Sequence, residues 1–283
     1  MNLHVKPFIM NSSMRVLSFL LLASLFYACQ PNPYRQTNKS YKKQARAFGK
    51  DISKKSITDT LGWANPDAWV GTTNFSMRRP NMVIIHHTAQ NSCDQTLQTF
   101  TKPSKSVSAH YVICKDGTVH HMLHDYLRAW HAGVGKWGNN SDINSSSIGI
   151  EIDNNGTESF SEEQMLSLEK LLTHLKSAYK IPQENFIGHA DIAPTRKNDP
   201  NVTFDWKRIS DLGFGLWYSD TTALQLPIDF NPLFALKMMG YDIKDTTAVI
   251  KTFKRKFLKS EDGTPLNPED KKVLYSLWAK SMK

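Results

Sequence analysis

Residues 188–200, GHADIAPTRKNDP, crowd a His, two Asp, an Arg and a Lys between a Gly and a Pro. Pro194 and Pro200 bar a regular helix through most of this stretch, so its charged side chains are not helix-surface charges. In extended backbone after Pro194, Lys197 and Asp199 project to one side and Asn198 to the other. A His and a carboxylate, joined by a second His from another strand, form a three-ligand set with an open fourth position. Catalytic zinc sites are built that way. The plainer alternative is a surface loop in which Asp191 makes an Asx turn and Arg196, Lys197 and Asp199 form exposed ion pairs.

The second His has two candidates. NMVIIHH (81–87) reads as a buried strand ending in His86 and His87, which must point to opposite faces. The strand is apolar on both faces, so alternation does not choose between them. In SIGIEID (147–153), Ile148, Ile150 and Ile152 share one face and Glu151 projects from the other beside Gly149. Such a carboxylate is costly to bury unless it is paired or used; on a solvated sheet face it would need no explanation. His120, His121 and His124 follow a DG turn, where alternation separates the first two, and they read as structural or groove-lining. His174 lies off the apolar stripe of its helix and reads as exposed.

These residues need a scaffold. SAHYVIC, the turn KDG and TVHHM read as a hairpin, and ENFIGH as a short strand. Between them, Ser161 and Gln164 form a capping-box pattern ahead of Met165, Leu168, Leu172 and Leu175, and Pro182 closes a long amphipathic helix. Mixed strands and helices imply an α/β domain around a mixed central sheet flanked by helices, spanning 65–222. Residues 223–283 are helical in pattern, with Gly240 as a stop, Val249, Phe253 and Phe257 on one stripe, and Asn267-Pro268 as a start. This reads as a small three-helix module, a binding accessory without an active site of its own.

The chain has 283 residues, 40% of them apolar, which supports a packed core; its net charge of +9 suits anionic partners. MRVLSFLLLASLFYAC (14–29) is too short to span a bilayer and reads as a secretory signal peptide. Ala28 before Cys29 resembles a bacterial lipobox, which makes Cys29 the expected lipidation site and 1–29 the leader; either Met1 or Met14 is the start. Residues 30–64 are polar and basic and read as a tether. Cys93 and Cys114 are either a disulfide or two buried thiols. Export and the lack of an aromatic-basic binding motif argue against nucleic acid as the partner.

VIIHHTA, SAHYVICKDG, RAWHAG, SSIGIEIDN, GHADIAPTRKNDP and FDWKRI, in this order, resemble the zinc-dependent type 2 N-acetylmuramoyl-L-alanine amidases, which are related to peptidoglycan recognition proteins. With the leader and the helical C-terminal segment, the chain looks like the AmiD-type outer-membrane lipoprotein amidases carrying a peptidoglycan-binding module. The resemblance implies the amidase fold and one zinc ion per chain, held by His86, His189 and Asp199. It implies Glu151 as the catalytic carboxylate, Lys197 as the catalytic lysine, and His131 at a groove position near the substrate. Phage and animal relatives usually carry Cys as third ligand and Tyr for the Glu, so Asp199 and Glu151 place the chain on the bacterial side. The implied reaction is cleavage between N-acetylmuramic acid and L-alanine in peptidoglycan or muropeptides. The implied setting is a monomer on the periplasmic side of the outer membrane, anchored there by an N-terminal lipid. A non-catalytic peptidoglycan-binding protein and a zinc peptidase acting on the stem peptide are the rival readings. Arg79, Arg128 and Arg196 are the candidates for meeting peptide carboxylates.

Overall fold

The computed structural model describes residues 32–53 and 72–282. The chain divides into a unit up to Asn74 and a compact unit from Phe75 onward. In the first, Arg35–Ile52 forms a helix, α1, within the segment read as a tether. Lys, Gln, Arg and Ala are strong helix formers, and α1 buries none of its residues. Cys29 and the leader lie outside the described residues. Among the described residues, no helix is long and apolar enough to cross a membrane.

The second unit is built on a five-stranded sheet in the order β3-β2-β4-β1-β5. Its strands are β1 (Met82–His87), β2 (Tyr111–Ile113), β3 (Val119–His121), β4 (Ser147–Ile152) and β5 (Phe186–Gly188). β1 pairs in parallel with β4 and β5, β4 pairs in parallel with β2, and only β3 runs antiparallel, as the return arm of the hairpin. One face carries Val83, Ile85, Ile113, Ile148, Ile150 and Ile152 against α4 (Glu162–Tyr179), through Met165, Leu168, Leu172 and Leu175. The capping box at Ser161 and Gln164 starts α4 as its sequence predicts.

The opposite face is less regular. Met82, Ile84 and Ile187 meet Ala132, Ile143, Ile192 and Ala193, contributed by loops and by two single-turn helices, α3 (Ile143–Ser146) and α5 (His189–Ile192). Two further helices, α2 (Cys93–Phe100) and α6 (Trp206–Asp211), flank the sheet. Cys93 at the start of α2 forms a disulfide with Cys114 after β2, their Cα atoms 5.2 Å apart, so neither is a free thiol.

At the C-terminus, α7 (Pro232–Met239), α8 (Thr246–Leu258) and α9 (Pro268–Ser281) form a second apolar cluster around Leu236, Val249, Phe253, Phe257, Leu274 and Leu277. Trp137 and Trp217, from the sheet-bearing part, pack against that cluster.

Candidate active site

The parallel strands β1 and β4 end side by side, and their register pairs His86 with Glu151 and Ile84 with Gly149. Paired residues of neighbouring strands project from the same face, so register decides what alternation left open: His86 joins Glu151. His87 turns away, and its Nδ1 accepts a hydrogen bond from the Asn201 N–H at 3.1 Å. The carboxyl ends of parallel strands are where α/β folds place their sites.

His189 follows β5 directly, as the first residue of α5. The Ala190 N–H donates to the Asp199 carbonyl at 2.8 Å, which folds the far arm of the loop back over α5. Asp199 Oδ2 thereby lies 3.0 Å from both His86 Nδ1 and His189 Nδ1, which are themselves 2.9 Å apart. All three side chains are buried, and their ligand atoms lie within 4.8 Å of one another.

Hydrogen bonding on the far side of each ring fixes its tautomer. His189 Nε2–H donates to the Ala132 carbonyl at 2.9 Å, leaving Nδ1 as a lone pair. For His86 the chain is longer. The Ser147 hydroxyl donates to the Ile143 carbonyl at 2.6 Å, so its oxygen accepts from His131 Nε2–H at 3.2 Å. His131 Nδ1 is then the acceptor for His86 Nε2–H at 3.1 Å, and His86 Nδ1 also presents a lone pair. Burial lowers the His86 pKa to about 4, so this imidazole is neutral near pH 7. Two imidazole lone pairs and a carboxylate oxygen thus converge with no donor of their own to share. They repel unless a cation lies among them, and a divalent metal ion fits this donor set.

His131 therefore stands elsewhere than a groove position. Its ring is buried behind His86, and Gly149 makes the room: a Cβ there would meet the ring at 2.4 Å. RAWHAG exposes its neighbour Trp130 instead, at 53%.

Glu151 does not sit on a solvated face. Its Oε1 is 4.0 Å from His86 Nδ1, and its Oε2 is buried without a hydrogen-bond partner. Burial and then Asp199 push its pKa well up, while Lys197 pulls it down. Lys197 reaches this position by a different path from the extended one its sequence predicts. The Arg196 and Lys197 N–H groups both donate to the Ala193 carbonyl, at 3.0 and 2.9 Å, so the chain turns tightly at Pro194. Proline sets φ for the second position of such a turn, and that outweighs the extended reading. The half-buried Lys197 nevertheless carries its charge close enough to act on both Glu151 and His86.

The three arginine candidates are held by the fold. Arg79 donates to the Tyr179 carbonyl at 2.8 Å, Arg128 pairs with Asp142 at 3.0 Å, and Arg196 donates to the Ala132 carbonyl at 2.9 Å. His121 stacks on Tyr111, with ring centroids 4.4 Å apart, on the face away from the site.

Comparison with known proteins agrees with this geometry. Residues 76–202 match the family model described as N-acetylmuramoyl-L-alanine amidase. The AmiD amidase of Escherichia coli K12 is 32% identical over 191 residues, covering 59% of this chain and 68% of the relative. The 1,6-anhydro-N-acetylmuramyl-L-alanine amidase AmpD of Haemophilus influenzae is 38% identical over 103 residues, 36% of this chain and 56% of its own length. Among solved structures, AmpDh3 of Pseudomonas aeruginosa superposes with a TM-score of 0.66 at 26% identity, covering 78% of this chain and 99% of that one. E. coli AmiD in complex with anhydro-N-acetylmuramic acid-L-Ala-D-γ-Glu-L-Lys gives 0.65 at 26% identity, covering 80% and 98%. A paired His86 and Glu151, a loop that returns Asp199 to His189, a family model matched over residues 76–202 and a relative 32% identical over 191 residues all lead to one family: the chain belongs to the N-acetylmuramoyl-L-alanine amidases.

Proposed function

We propose that this chain hydrolyses the amide between the N-acetylmuramic acid lactyl group and L-alanine, using zinc held by His86, His189 and Asp199. The observation that carries this is the convergence of those three buried ligand atoms beside the unpartnered carboxylate of Glu151. Bound zinc would polarise the scissile carbonyl and acidify the attacking water, toward a pKa of about 7. Glu151 takes the water proton and delivers it to the departing alanine amine, a role typically worth about 10²–10⁴-fold in rate. Its buried setting makes it a stronger base than an exposed carboxylate, and Lys197 keeps the ionised form accessible. The Lys197 ammonium faces the negative charge that grows on the carbonyl oxygen, where a lost donor costs about 10²–10³-fold.

Muropeptides of the anhydro form are within the expected substrate range, since the AmpD relatives are named for them and E. coli AmiD is in complex with one. The test is digestion of purified peptidoglycan and of an anhydro-muramyl tripeptide, with products weighed by mass spectrometry. Free peptides beginning at L-alanine, lost with chelator and regained with zinc, are expected. Cleavage within the stem peptide, or indifference to chelation, overturns the assignment.

The cellular setting belongs to the same reading: lipidation at Cys29, attachment to the outer membrane, and a C-terminal module that grips peptidoglycan. The Cys93–Cys114 disulfide supports an oxidising compartment. Metabolic labelling with a fatty acid that fails in Cys29→Ala is the expected result; labelling that survives the substitution places the anchor elsewhere.

A further inference from the structure

Asp191 lies two residues beyond His189 and is 1% exposed, yet the chemistry above makes no use of it. Within its own loop it is the third residue of α5, and its Oδ2 accepts the Gly188 N–H at 2.7 Å, clamping the turn that presents His189. Its other partners come from about 50 and 65 residues further along the chain. The Tyr241 hydroxyl donates to Oδ1 at 2.7 Å, and Lys256 Nζ donates to Oδ2 at 2.7 Å. Both partners are buried, Tyr241 just after α7 and Lys256 on α8.

Further contacts tie the same groups to the second arm of the loop. Lys256 Nζ sits 4.1 Å from the centre of the Trp206 ring. Trp206 and Pro200 close on Gly188 so tightly that a Cβ there would lie 3.1 Å from the indole and 2.9 Å from the proline ring. Pro200 follows Asp199, whose carbonyl holds the Ala190 N–H. Both arms of the ligand loop thus rest on one buried carboxylate and the cation that neutralises it. The neighbouring loop is fastened as well: Tyr241 meets Trp137 edge-on at 4.9 Å, and the Gly138 N–H donates to the Gly240 carbonyl at 2.7 Å.

A surface ion pair contributes little, and a binding accessory joined only for avidity needs no buried charge at its root. A buried Lys–Asp pair, with the aspartate fully hydrogen-bonded, instead fixes one arrangement, and removing one partner leaves an uncompensated charge. We infer that Lys256 and Tyr241 are positioning residues for the metal centre: the C-terminal helices, through Asp191, hold His189 and Asp199 in ligating geometry. This rests on the zinc reading above and extends it. The helical module is a structural part of the catalytic centre, whatever else it binds.

The test compares zinc affinity, by competition with a chromophoric chelator, with thermal stability in the full exported chain. Lys256→Met should weaken zinc at least tenfold, in line with the 10–100-fold effect of residues that orient ligands. Tyr241→Phe removes one hydrogen bond, leaves the charge pair, and should weaken zinc about threefold; it keeps the test available if Lys256→Met does not fold. Leu277→Ala, in the apolar centre of the same helices, lowers the melting temperature without touching Asp191 and should leave zinc affinity within twofold. The split between the Lys256 and Leu277 variants supports the brace. Equal loss in both reduces the effect to general loosening and overturns it, as does unchanged affinity in Lys256→Met and Tyr241→Phe. A parent chain that binds no zinc sinks the metal reading first, and the brace with it.

Discussion

The two faces of the β1–β4 pair share strands, register and burial, and differ in almost everything else. On one, Val83, Ile85, Ile148, Ile150 and Ile152 meet the leucines of α4 in an apolar layer. On the other, the same strands end in His86 and Glu151, covered by loops and single-turn helices whose polar groups are hydrogen-bonded in chains. The first face supplies cohesion, since each buried Leu or Ile removes apolar surface worth roughly 1.5–3 kcal/mol from water. The second holds a carboxylate oxygen without a partner and two imidazole lone pairs aimed at one point. The stable layer carries the strained one, so substitutions on the two faces should affect different measurements.

The largest expected effect is on the site face. Glu151→Gln should lower turnover by about 10²–10⁴-fold while zinc stays bound. Its melting temperature should hold or rise, because a buried carboxyl with a raised pKa is replaced by a neutral amide. Hydrolysis at the parent rate would remove Glu151 from the mechanism. The converse substitution, Leu172→Ala, should cost about 2–5 kcal/mol in denaturant unfolding and leave zinc affinity as it was. A metal-binding defect there would show that the two faces are not separable.

Smaller effects test how the polar face is wired. His131→Phe breaks the chain that keeps the proton on His86 Nε2, and should weaken zinc by about 10–100-fold. Unchanged affinity would mean that the metal itself suffices to select the tautomer. Last comes pH. Burial lowers the pKa of His110 to about 4, against a reference of 6.5, and its ring lies 5.9 Å from that of His131. The unfolded chain takes up this proton near pH 6.5 and the folded chain only near 4. The stability this group contributes is therefore complete above about 6.5, falls as pH drops toward 4, and changes no further below that. Urea midpoints of the metal-free protein should follow that course, and His110→Gln should lessen the loss, leaving the share that buried His86 contributes by the same route. An equally steep loss in the variant would assign the slope to other groups.

What sequence could say divides along the same line. The apolar run of β1, the alternation of β4, the capping box of α4 and the caps of α7 and α9 are local, and each appears where its pattern places it. Glu151 was legible as the odd residue in an isoleucine strand, because a single strand already defines its two faces. The leader and its Cys29 are likewise a local pattern, outside the described residues. Whether His86 or His87 enters the site depends on the register between β1 and β4, which no window of one strand contains. That His131 lies behind a ligand rather than before the substrate depends on a contact between its loop and Gly149 of β4. Asp191 could be read as a loop residue; that Lys256 neutralises it required α8 to fold back over the ligand loop. Periodicity and capping are short-range and survive in the sequence, whereas tautomers, buried charge pairs and the meeting of three ligands come from long-range packing, which only the folded chain fixes.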